Sequence, residues 1–326
     1  MEPLFPDDPS GELEAMAVEL ISRSAALSEA LHPVTRAAVA DLVRPMNSYY
    51  SNLIEGHDTH PIDIDRALRN DYSTDKRKRD LQQEALAHIA VSKALRTGEL
   101  RHATGSDPSS EVFIMGVHRA FYEHLPADFL RVVSKEGVEQ QVVPGVYRTG
   151  EVEVGRHIAP GHEHVPHFMA RFASCYDREA PGNRSRIHRV IAMAAAHHRL
   201  AWIHPFLDGN GRTVRLCTDA WAMADDLDAG GVWSISRGLA RKRDEYRAML
   251  AGADAPRMGD LDGRGNLSNA RLVTFCRWFL ATAIDQVSFM RDAFQLDGVL
   301  RRIDVFVDRM ASEGRMRNEA RFLLKD

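Results

Sequence analysis

The chain has 326 residues, 44% of them hydrophobic and 27% charged, with a formal net charge of −4. That is enough for one large domain or two to three small ones with real cores, and the slight acid excess gives no global drive toward nucleic acid. No apolar run approaches bilayer length, the acidic start lacks the pattern of a secretory signal, and the scattered Cys175, Cys217 and Cys276 argue against a disulfide frame or zinc site and for a reducing cytoplasm.

Residues 1–10 read as a disordered lead. From 11 to about 44 the pattern is helical. Leu13, Met16, Leu20 and Ile21 recur at helical spacing, Leu27 and Leu31 follow, His32-Pro33 breaks the run, and Pro45 punctuates the stretch that resumes after it. Ser51-x-x-x-Glu55-Gly56 is one helical turn closed by a glycine, a common helix ending when taken alone. Residues 63–68 form a short helix. The charge run 75–80 has acids at both ends and reads as a solvated helix face rather than a nucleic-acid contact. Residues 81–95 form a helix that Gly98 can close. The polar loop 104–110 then separates an N-terminal helical region, 1–108, from a core, 109–297, and Ser110-Glu111 opens a helix through Tyr122.

Strand patterning is good only between 144 and 166. Glu151-Val152-Glu153-Val154 alternates with period two, Gly155-Arg156 can turn, and His157-Ile158 can return. His162-Glu163-His164 with His167 sits among Pro160, Gly161 and Pro166 and reads as a solvated loop rather than a metal cluster. Residues 184–203 are a strong helix, with Ile187, Val190, Ile191, Ala194 and Ala195 on its apolar side. His197 and His198 inside it read as structural. Gly230-Gly231 marks a turn, 237–250 is helical and contains Tyr246, 252–268 is a loop, 269–294 is a long helix, and 298–326 is an arginine-rich C-terminal segment.

The chemistry concentrates in His204-Pro205-Phe206-Leu207-Asp208-Gly209-Asn210-Gly211-Arg212-Thr213-Val214-Arg215. Pro205 disfavours helical geometry at His204, so the preceding helix should stop there. Gly209 and Gly211 permit a tight turn and close approach to a ligand. A new helix starts near Asn210, and a glycine-rich turn at a helix N-terminus offers free N–H groups and a positive dipole end to phosphate. Asp208 suits a Mg²⁺ ion riding on phosphates. Arg212 and Arg215, three apart, can fork onto outer phosphate oxygens. His204 lies at the lip, where a base would meet a hydroxyl.

This stretch closely resembles the signature of the Fic family, His-x-Phe-x-[Asp/Glu]-Gly-Asn-Gly-Arg-x-x-Arg, at every specified position. The resemblance covers roughly 110–250 and the Ser51–Gly56 motif. It implies an all-α fold: a Fic-type helical core with one short β-hairpin, an N-terminal helical region and C-terminal helices. It implies transfer of AMP from ATP to a Ser, Thr or Tyr hydroxyl of a target protein. His204 would be the general base and Asp208 the Mg²⁺ ligand. Gly209, Asn210, Gly211 and Arg212 would bind the nucleotide, with the 210–212 backbone as anion hole for the α-phosphate and Asn210 orienting it. Arg212 and Arg215 would take the outer phosphates, and Tyr246 would lie near the nucleotide. Ser51 and Glu55 match the family's inhibitory motif, in which the glutamate pairs with the second signature arginine. Val152, Glu153 and Val154 resemble the flap that holds a target segment by strand addition.

Residues 301–326 are similar to the entrance of the winged-helix module that some members append. The expected partners are ATP and a target protein; a homodimer is allowed, and neither membrane nor nucleic acid is expected. Three rivals stand beside this reading. Doc-type kinases carry a Lys where this chain has Gly211. Removal of AMP would use Glu55 to align water. A non-enzymatic DNA-binding regulator would not need the intact His204 and Asp208.

Overall fold

The helix that delivers His204 is buried almost all round, from Val190 through Leu200, as befits the centre of a helical core rather than its surface. The computed structural model describes residues 1–133, 137–155, 157–183 and 185–325. Within them the regular secondary structure is almost entirely helical. The N-terminal part comprises α1 (Glu12–Glu29), α2 (Pro33–Glu55), α3 (Pro61–Leu68), α4 (Lys76–Thr97) and α5 (Glu99–Thr104). Next come α6 (Glu111–Glu123) and two small antiparallel hairpins, β1 (Arg131–Val133) with β2 (Glu139–Gln141) and β3 (Glu153–Val154) with β4 (His157–Ile158). Then follow α7 (Val165–Tyr176), the central α8 (Arg186–Ile203), α9 (Asn210–Ala224), α10 (Ser236–Arg241), α11 (Arg243–Ala253), α12 (Asn269–Ala293), α13 (Leu296–Ser312) and α14 (Ala320–Lys325).

Local rules set most boundaries. Ser110, Asp75 and Ser268 each accept a hydrogen bond from a backbone N–H in the first turn of the helix that follows, as N-caps do. Gly56 and Gly98 end α2 and α4 in left-handed geometry. The apolar stripe of α1 buries Leu13, Ala17, Leu20 and Leu27, and α1, α7, α9 and α12 all pack on α8. α2 packs on α4, α9 and α10. One cluster of buried side chains runs from Met1 to Val287 and includes residues of both the N-terminal helices and the core.

Four expectations change. Residues 1–10 are not a loose lead: Met1 and Leu4 are buried. The Met1 amine donates to Asn266 Oδ1 at 2.8 Å, Phe5 stacks on His188, and Tyr176 OH donates to the Leu4 carbonyl. Pro45 does not interrupt α2. It removes one intrahelical donor, and the carbonyl this orphans belongs to exposed Asp41, where water can take it. The 237–250 helix is two helices, because Lys242 leaves helical geometry at φ −113°, ψ 35°. Among the described residues there are two hairpins rather than one. β1 and β2 were missed because three-residue strands give too short an alternation to read. The turn residue Arg156 and the helix-start residue Arg184 lie outside the described residues. No described helix is long and apolar enough to cross a membrane.

Candidate active site

The loop between α8 and α9 carries the signature, and both flanking helices are core elements, so its ends are fixed. His204 is the C-cap of α8 in left-handed geometry, φ 51°, ψ 60°, a strained setting for a residue with a Cβ. Its Nδ1 faces the Ala201 carbonyl at 3.4 Å. A carbonyl only accepts, so that nitrogen carries the proton and Nε2 keeps the lone pair of the neutral ring. Burial, helped by the nearby charges of His157 and Arg148, pulls the imidazole pKa down to about 4. At neutral pH the His204 ring is therefore uncharged, with the Nε2 lone pair free of a proton.

Gly209 starts α9 at φ 75°, and a Cβ there would meet the Tyr122 ring at 2.8 Å. Thr213 is the first residue of α9 whose N–H reaches back, to the Gly209 carbonyl at 3.0 Å. The N–H groups of 210–212 are thus the unsatisfied helix-start donors. The Asn210 side chain does not join them. Its Oδ1 accepts from Phe206 N–H at 2.9 Å, and its Nδ2 donates to the Phe206 carbonyl at 2.7 Å. Asn210 therefore staples the loop, and what it turns to an anion is its backbone.

Asp208 is exposed. Its Oδ2 accepts from Tyr122 OH at 2.5 Å, and its carbonyl accepts from His118 Nε2 at 3.1 Å. His118 Nδ1 in turn accepts from Gly145 N–H at 2.8 Å, and its ring stacks on Phe206 at 3.9 Å. Burial holds that ring neutral, with a pKa near 4. Oδ1 of Asp208 takes no hydrogen bond among the described residues, so one oxygen of a carboxylate oriented by Tyr122 is left open two residues before the start of α9. That fits a Mg²⁺ ion whose other ligands are phosphate oxygens and water.

Both arginines are occupied by carboxylates from the N-terminal helices. Arg215 Nη2 donates to Glu55 Oε1 at 2.5 Å, and Arg215 Nε donates to Ser51 Oγ at 2.9 Å. A Cβ on Gly211 would collide with Glu55 Oε1, so the Glu55 carboxylate lies directly against the start of α9. Glu55 pays desolvation, yet Arg215 and Arg212 outweigh it and hold its pKa below the ordinary value. Arg212 Nη2 donates to Glu84 Oε2 at 2.8 Å, and His57 Nδ1 lies 2.8 Å from the same oxygen. The Arg212 guanidinium also sits over the Phe121 ring.

Tyr246 is buried, stacked on Trp278, with its OH donating to His197 Nε2 at 2.7 Å. It supports α8 and also lies within reach of the charges of Arg215 and Glu55, beside the second signature arginine. His197 and His198 are buried and hydrogen-bonded to neighbouring helices, as read. Val152, Glu153 and Val154 lie where expected in the hairpin, with Val154 and Ile158 exposed. Tyr122, His118, Glu84, His57 and Arg148 were not foreseen. A buried Glu84 and His88 on the inner face of α4 were the available signal.

The Fic/DOC family model matches residues 109–222. Over those residues the chain carries a Fic domain. The protein adenylyltransferase Fic of Drosophila sechellia is 42% identical over 79 residues, which are 24% of this chain and 15% of that protein. The match thus spans about a seventh of the curated relative's length. A Fic family protein from Desulfovibrio desulfuricans aligns with a TM-score of 0.62 and 21% identity, covering 93% of this chain and 82% of that one. A Fic domain containing signaling protein from Bacteroides thetaiotaomicron aligns with a TM-score of 0.60 and 18% identity, over 84% and 95% of the two chains. At these identities the two structures speak for a shared fold.

Proposed function

We propose that the chain is a protein adenylyltransferase that moves AMP from ATP to a hydroxyl of a target protein and is held inactive by Glu55. The observation that carries this is the Glu55–Arg215 pair lying against the helix-start N–H groups of 210–212, with a neutral His204 at the other end of the loop.

The target oxygen attacks the α-phosphorus while the bond to the β-bridging oxygen breaks and pyrophosphate leaves. His204 Nε2 accepts the proton of the attacking hydroxyl. The N–H groups of 210–212 meet the charge that builds on the non-bridging α-oxygens, and being fixed by α9 they need no reorganisation. Asp208, oriented by Tyr122, would hold Mg²⁺, which neutralises α- and β-phosphate charge. Arg212 and Arg215 would take the outer phosphates once Glu84 and Glu55 release them. The exposed hairpin edge suits a target strand.

The 42% identity to a protein named as an adenylyltransferase supports the reaction class. Removal of AMP with Glu55 as the group that aligns water is disfavoured while Glu55 is paired, because Arg215 occupies the carboxylate oxygen that would meet the water. Incubation of the Glu55→Gly chain with ATP labelled at the α- or γ-phosphorus separates the readings. Label from the α-position on protein is expected; label only from the γ-position means a kinase, and none from either contradicts transfer.

A further inference from the structure

Arg148 lies just before the β3–β4 hairpin, and its side chain is wholly buried although the carboxylate that approaches it, Glu151, stays at 3.9 Å. Its donors go to main-chain carbonyls instead. Nε donates to the His204 carbonyl at 2.8 Å, Nη1 to Gly150 at 2.9 Å, and Nη2 to Pro160. The Arg148 N–H donates to the Pro205 carbonyl at 2.9 Å.

These acceptors belong to two parts that must keep register. Gly150 and Pro160 are the two feet of the hairpin. His204 and Pro205 end α8 at the strained left-handed turn, where helix carbonyls lack intrahelical partners. A planar guanidinium can satisfy three separated carbonyls at once, whereas an ammonium on a flexible stem cannot. The positive charge also sits beside the His204 ring and opposes a second positive charge there.

We propose that Arg148 is a positioning residue that locks the hairpin to the main chain of His204, so that a hydroxyl presented by the hairpin and the base that deprotonates it keep a fixed separation. The proposal rests on the adenylyl-transfer reading of the site. The hairpin has a second tie. His157 donates from Nε2 to the Trp202 carbonyl at 2.9 Å, and its Nδ1 meets Asp254 Oδ2 at 3.0 Å. Loss of Arg148 should therefore loosen the register without unfolding the hairpin.

The test compares Glu55→Gly with the doubles that add Arg148→Lys or Arg148→Gln, using self-labelling from α-labelled ATP. The maximal rate should fall ~10²-fold, the cost of a small misplacement in a transfer step, while half-saturation by ATP changes less than about threefold, because Arg148 touches no residue of the phosphate hole. An unchanged maximal rate, or a parallel loss of ATP affinity, would overturn it. Hydrogen exchange on the single variants decides the matter even if the Glu55→Gly parent transfers nothing, an outcome that would sink the transferase reading alone. Amides of 150–160 and 204–207 should exchange faster than in the wild type, with α9 unchanged. Equal protection in both segments would refute the lock, and Arg148→Lys serves if Arg148→Gln does not fold.

Discussion

Single residues decide the chemistry through their protonation and partners. His204 has its pKa lowered to about 4 by burial, so it is protonated, and useless as a base, only below that value. The transfer rate of the Glu55→Gly chain should then stay flat from pH 6 to pH 8 and fall only toward pH 4. A limb near 6.5, the ordinary histidine value, would show that the ring is not held as described. Glu55 has a lowered pKa as well. The stabilisation from its pair is present above the ordinary carboxylate range and is lost only as the pH falls through the lowered value, so the wild type should stay inhibited across the same range. Glu84 sequesters Arg212 as Glu55 does Arg215. Glu84→Gln should tighten ATP binding several-fold in calorimetry, about 1 kcal/mol from a freed guanidinium. It should also lower the melting temperature, because Arg212 would be left buried without its charge partner. Unchanged ATP affinity would mean that Arg212 is structural. The signature residues were legible because their spacing is local. Glu84, Tyr122 and Arg148 were not, since each acts on a residue far along the chain through the fold alone.

At the scale of elements, the proposed inhibition is a matter of where α2 ends. Gly56 stops the helix at φ 90° one residue after Glu55. Two arginines of α11 hold that end: Arg243 donates to the Leu53 carbonyl at 3.4 Å and Arg247 to the Ile54 carbonyl at 3.0 Å. Charged donors at a helix C-terminus satisfy orphan carbonyls and meet the negative end of the dipole. The interface is imperfect elsewhere, since the Asn52 amide of α2 and both ring nitrogens of His88 on α4 are buried without partners among the described residues. Arg247→Ala should raise transfer by roughly tenfold at most, matching ~1.5 kcal/mol for a hydrogen bond to a charged group. No rise in label incorporation would mean that the cap does not help to hold Glu55. The glycine stop of α2 and the Ser110 start of α6 could be read from the sequence; the Asp75 and Ser268 caps were not. The continuity of α2 through Pro45 could not, because it depends on that turn facing solvent.

Across the whole molecule, most individual helices and the placing of the signature between two of them followed from hydrophobic periodicity and one proline, whereas the all-α class was what the family resemblance implied. The anchoring of the N-terminal residues did not. Acidic and proline-rich, residues 1–10 carry no periodic signal, and only the groove they enter explains their order: Arg199 donates to the Pro3 carbonyl at 2.9 Å, and Asn266 and Leu267 donate to Glu2. The fold brings α2 onto the start of α9, so that residues 160 positions apart form one ion pair. The claim on which the account turns is that this contact blocks transfer, and intact-mass spectrometry after incubation with ATP and Mg²⁺ tests it most directly. The account predicts no adduct on the wild type and AMP adducts on Glu55→Gly, with none on Glu55→Gly combined with Arg215→Ala. Equal adduct levels on the wild type and Glu55→Gly would contradict it.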